Sequence, residues 1–135
     1  MRVRGATPSS RLRLNEAALI YYPPLRAVAE YVRAHLTDRI TLGDVSKVAD
    51  LERKYFSAYF RSKAGIPFTE WLRVLRVNRA KELMEEGEAS ISRVAYASGF
   101  RDVRTFERAF KRLVGVPPAM YRASMRAKSR ITTEE

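Results

Sequence analysis

Residues 90–122 read SISRVAYASGFRDVRTFERAFKRLVGVPPAMYR. Ser90 is a good helix N-cap, and Ile91, Val94 and Ala95 follow at helical spacing. Gly99 turns the chain. A second helix over about 102–113 then carries Phe106, Phe110 and Leu113 on one side, and Gly115 ends it. Pro117 and Pro118 start a further helix to about Lys128, because proline is tolerated in the first turn. The stretch is therefore a short helix, a tight turn and a longer helix with an inner aromatic pair.

The same arrangement stands earlier in the chain. Val45, Asp50 and Leu51 match Val94, Gly99 and Phe100 at a spacing of 49. Phe56, Phe60, Gly65, Pro67 and Trp71 match Phe106, Phe110, Gly115, Pro117 and Tyr121 at a spacing of 50. The second copy thus has one extra residue just after its turn. Two copies are too few for a solenoid. Thr41 and Asp44 open the first copy as a capping box, with Asp44 making a shorter reach than the usual Glu or Gln.

Working outward, Pro23-Pro24 starts a helix to about Thr37, and Pro67 a long one to about Glu86. No strand pattern occurs. The expected fold is all-α with about seven helices. The expected segments are an arm or linker remnant over 1–22, mostly without order but ordering near Ala17–Tyr22, a first two-helix unit over 23–66, a connecting helix over 67–88, a second unit over 89–128, and a tail over 129–135 that frays from Ile131.

A helix pair of this profile is either an ordinary αα-corner or a helix-turn-helix. The outer faces favour the second. Helix 52–63 sets Arg53, Lys54, Ser57, Ala58 and Arg61 opposite Phe56 and Phe60. Helix 102–113 sets Arg104, Glu107, Arg108 and Lys111 opposite Phe106 and Phe110. Long donors and small residues on one face suit a DNA major groove. Two such helices could enter successive major grooves, about 34 Å apart on one side of B-DNA.

Composition supports a polyanionic partner. The 135 residues hold 26 Lys and Arg against 15 Asp and Glu, a net charge of +11. Residues 90–122 alone carry seven basic groups against Asp102 and Glu107, while Glu82, Glu85, Glu86 and Glu88 form an acidic cluster that reads as a solvated face. The absence of cysteine excludes disulfides, iron–sulfur clusters, a thiol nucleophile and cysteine zinc sites. His35 is the only histidine and reads as a surface residue. No phosphate-binding loop, metal pattern or Ser-His-Asp set can be assembled, so no enzyme, cofactor or metal is expected. No apolar run spans a membrane and no secretory signal opens the chain, which points to the cytoplasm.

Three stretches resemble the DNA-binding domain of the AraC/XylS family of bacterial transcription regulators. They are LGDVSKVADLERKYFSAYFRSKAG (Leu42–Gly65), WLRVLRVNRAKELM (Trp71–Met84) and the opening stretch, whose A…GF.D…F…FK…G..P..YR pattern is nearly complete. The resemblance covers about residues 25–122. It implies two helix-turn-helix subdomains joined by a long helix, binding double-stranded DNA at the nucleoid to regulate transcription, commonly as an activator. Members usually carry a further sensing or dimerisation domain, for which residues 1–22 are too few. A minority consist of this domain alone and bind as monomers. Contact with RNA polymerase is common in the family.

Carried over position by position, the resemblance offers Lys54, Ser57 and Ala58 of the first recognition helix toward bases, and Val103, Arg104, Glu107 and Arg108 of the second. Arg104 or Arg108 could bond guanine bidentately, and Glu107 could accept from cytosine or pair within its helix. Ala58 could touch a thymine methyl. Arg53, Arg61, Lys63, Arg101, Lys111 and Arg112 are the candidate phosphate contacts. Two departures concern the first unit: Asp50 stands where glycine is common, and Glu52 stands at the helix start where serine is usual. Glu52 caps less well than serine and would repel phosphate, though it suits the helix dipole. The alternative, a basic RNA-binding or ribosomal protein, would need exposed aromatic platforms. Phe56, Phe60, Phe106, Phe110, Trp71 and Tyr121 are better explained as core.

Overall fold

The computed structural model describes residues 14–87 and 90–134, with 129–134 as backbone only. The described residues form eight α-helices and no strand. They are α1 (Ala18–Tyr21), α2 (Pro23–Ala34), α3 (Leu42–Ala49), α4 (Arg53–Ala64), α5 (Phe68–Glu85), α6 (Ile91–Ala97), α7 (Val103–Val114) and α8 (Pro118–Glu134). The described chain divides into two compact units, one up to Leu75 and one from Arg76 onward. The division falls inside α5, so this helix is not a free-standing connector. Phe68, Trp71 and Leu72 serve the first core. Val77, Ala80 and Met84 are buried in the half of the helix that belongs to the second unit.

In the first unit, Phe56 and Phe60 of α4 are fully buried. Their rings lie 5.7 and 5.5 Å from Phe68, and Phe60 lies 5.6 Å from Trp71. Leu25, Val28 and Val32 of α2 and Val45 of α3 close the core from the other side. The capping box of α3 is complete despite the short side chain. Thr41 Oγ1 accepts from the Asp44 amide at 3.1 Å, and Asp44 accepts from the Thr41 amide at 2.9 Å. Asp50 then adopts φ 60°, a left-handed conformation that ends α3.

The ordered end of the arm, expected near Ala17–Tyr22, begins a little earlier. Residues 1–13 lie outside the described residues. Residues 14–22 belong to the first unit. The Asn15 amide donates to the Ala64 carbonyl at 2.8 Å, and Ala18 and Leu19 of α1 are buried in the core. Two buried residues and one long-range backbone bond hold a helix too short to show any period.

In the second unit, Ser90 caps α6 by accepting from the Arg93 amide at 3.2 Å. Gly99 (φ 104°) makes the turn where the first unit has Asp50, and it is buried. Phe106 and Phe110 are fully buried, with Phe100 5.3 Å from Phe106 and Tyr121 5.4 Å from Phe110. The repeat is therefore structural, and the extra residue falls between the turn and the cap of α7.

The last helix, expected to run to about Lys128, continues as α8 to Glu134, while Glu135 lies outside the described residues. After Pro118 no glycine or proline interrupts it, and Ala, Arg, Met and Lys favour helix. The acidic cluster is more than a solvated face. Glu85 accepts from the Tyr121 hydroxyl at 3.0 Å and so ties α8 to the end of α5. Glu82 pairs with Arg79 at 3.0 Å. Glu88 lies outside the described residues. His35 is exposed, with Nδ1 3.1 Å from Asp38 Oδ2.

Candidate nucleic-acid interface

The outward face of α7 follows from its inner one. With Phe106, Ala109, Phe110 and Leu113 buried, Arg104, Glu107, Arg108, Lys111 and Arg112 must point to solvent, and each is exposed. Val103, at the first turn, is half-buried. Arg104, Glu107, Arg108, Lys111 and Pro117 line an open cleft of about 470 Å³. Three cations and one carboxylate on one wall suit an anionic, hydrogen-bonding partner.

The start of α7 is held firmly. Asp102 accepts from the Thr105 amide at 2.8 Å and from the Thr105 hydroxyl at 3.0 Å. The bond from the Thr105 amide is the main cause of an Asp102 pKa below the usual carboxylate range, and the charge of Arg108 adds to it. An ionised Asp102 therefore fixes the turn that carries Val103 and Arg104. Arg101, just before the cap, is exposed. Burial first, and then the charge of Arg101, pull the guanidinium of Arg76 below its usual value. A basic residue in the long helix gives no sign of this in the sequence.

The first unit presents α4 differently. Arg53, Lys54, Ala58 and Arg61 are exposed, and Ser57 is half-buried. Its N-cap residue, Glu52, makes no side-chain capping bond. The two recognition helices therefore begin unequally, one capped by Asp102 and one uncapped.

Lys63 faces elsewhere. Its ammonium lies over two aromatic rings, 4.9 Å from the centre of Tyr22 and 5.8 Å from that of Tyr59. Sequence reasoning also missed Tyr55. It lies on α4, is 60% exposed, and stacks on Tyr59 at 6.4 Å. The i,i+4 spacing of Tyr55 and Tyr59 was the available signal.

The comparisons with known proteins agree with this fold. A helix-turn-helix domain model matches residues 45–124. The probable transcriptional regulator LumQ of Photobacterium leiognathi is 33% identical over 99 residues, covering 73% of this chain and 40% of that protein. The regulatory protein PocR of Salmonella typhimurium is 31% identical over 105 residues, covering 78% of this chain and 35% of that protein. The chain thus spans two fifths or less of the length of these two relatives. Among solved structures, the DNA-binding domain of AdpA, a global transcriptional factor crystallised with a target DNA, superposes with a TM-score of 0.74 at 33% identity. It covers 79% of this chain and 96% of that one.

Proposed function

The chain belongs to the AraC-type helix-turn-helix family of DNA-binding transcription regulators, and on that premise we propose how it engages DNA. The second unit reads sequence through α7. Arg104 and Arg108 donate to guanine edges, Glu107 accepts from a cytosine amino group, and Val103 makes apolar contact. The first unit contributes Lys54, Ser57 and Ala58 of α4, which carry less hydrogen-bonding information. Arg53, Arg61, Arg101, Lys111 and Arg112 take phosphates and set the register. Lys63 is the weakest member of that set, because of its place over the tyrosine rings. The observation that carries the reading is the exposed α7 face, with its cations opposite a fully buried phenylalanine pair.

The two helices engage successive major grooves, and the domain acts as a monomer on an asymmetric site. It performs binding rather than catalysis, in the bacterial cytoplasm at the nucleoid, with RNA polymerase as a further partner. No helix among the described residues is long and apolar enough to cross a membrane. The RNA-binding alternative has no support in the family match or the relatives, and the phenylalanines and Trp71 are core rather than platforms.

The test is selection of bound duplexes from a random DNA pool, repeated with variants. Arg104→Ala and Arg108→Ala should each cost about 1–3 kcal/mol of discrimination and relax one selected position. If both variants lose affinity equally on every sequence, α7 does not read bases.

A further inference from the structure

Four tyrosines form a continuous row on the first unit. Tyr21 of α1 meets Tyr22 edge-on at 4.9 Å, Tyr22 meets Tyr59 edge-on at 6.3 Å, and Tyr59 stacks on Tyr55. Lys63 sits over the middle two rings. The row thus runs from the N-terminal helix to the recognition helix. At its end the Tyr55 ring is largely exposed, and its hydroxyl has no hydrogen bond among the described residues.

The helical phase fixes where Tyr55 points. At 3.6 residues per turn it lies about 60° round α4 from Ala58, on the side of Tyr59. Ala58 is the exposed centre of the outward face. A side chain on that shoulder meets the wall of a groove rather than its floor. The wall of a DNA groove is the sugar–phosphate backbone, to which tyrosine hydroxyls donate.

Resting on the function proposed above, we infer that Tyr55 is a phosphate contact of the first recognition helix, positioned by its stack on Tyr59, which Tyr22 meets edge-on with Lys63 over both rings. Tyr55 donates its hydroxyl hydrogen to one phosphate oxygen. The Tyr59 ring restricts its rotamers before DNA arrives, so less entropy is lost on contact. This gives α1 and Lys63 a role. They support the reader of a backbone position from behind, whether or not Lys63 also reaches a phosphate. It also supplies a fixed contact to a helix whose Ser57 and Ala58 hold little of their own.

The experiment measures affinity for a pool-selected duplex and for a random-sequence duplex over a salt series. Tyr55→Phe removes only an exposed hydroxyl, so the fold is kept, as circular dichroism would verify. Affinity should fall about three- to tenfold on both duplexes alike. The slope of log affinity against log salt should stay unchanged, because a neutral phenol releases no counterion. Ethylation of one phosphate should weaken the native chain and leave Tyr55→Phe indifferent. Tyr22→Leu should weaken binding in the same uniform way, and Tyr22→Phe, which keeps the ring, should restore it. Native affinity in Tyr55→Phe overturns the inference, as does a loss confined to the selected duplex. Unchanged DNA binding with reduced transcription would make the row a protein-docking surface and also overturn it. A native chain that binds no duplex at all overturns the parent reading instead.

Discussion

Asp50 is the non-glycine among the described residues with positive φ, and Gly99 occupies the same place in the second unit. A side chain in the left-handed region costs about 1–2 kcal/mol per residue, less for Asp than for most. Asp50→Gly should therefore stabilise the first unit, by at most about 1 kcal/mol once the added freedom of the unfolded chain is subtracted. Urea unfolding followed by circular dichroism would show it as a higher midpoint. The turn itself was legible in the repeat, because Asp50 aligns with a glycine. The contacts of Lys63 were not. A helical lysine reads as a surface charge until the chain brings Tyr22, far off in sequence, beneath its ammonium.

At the scale of elements, most boundaries were legible because Gly, Pro and capping residues punctuate them. The exceptions are instructive. Helix α1 depends on the long-range bond from Asn15 to Ala64, which no local pattern encodes. The extension of α8 past Lys128 depends on uninterrupted helix formers rather than on a core stripe. The tie from α8 to α5 rests on Tyr121, whose pKa is pushed up to about 12, chiefly by burial and then by the Glu85 hydrogen bond. A raised pKa means that the neutral phenol is the form the fold favours. Its stabilising share is complete below the unfolded value near 10 and is lost as pH rises from there to about 12. Thermal melts over that window should show the native chain losing ground to Tyr121→Phe. At neutral pH the variant should be the less stable of the two.

For the whole molecule, the two cores predict two separable responses. Phe110→Ala should cost about 3–5 kcal/mol, because a fully buried ring leaves a cavity. Hydrogen exchange should then show protection falling in α6–α8 while α2–α4 keep theirs. The division of the candidate interface was legible in outline, since basic residues crowd the second unit. Its detail was not, because exposure, capping and ring contacts are decided by tertiary packing. The unequal starts of α4 and α7 have a consequence in time. The helix that begins on uncapped Glu52 frays more readily than the one tied by Asp102, so release from a site is expected to begin at the first unit. A regulator that lets go by halves can be displaced by a competitor arriving at the vacated half.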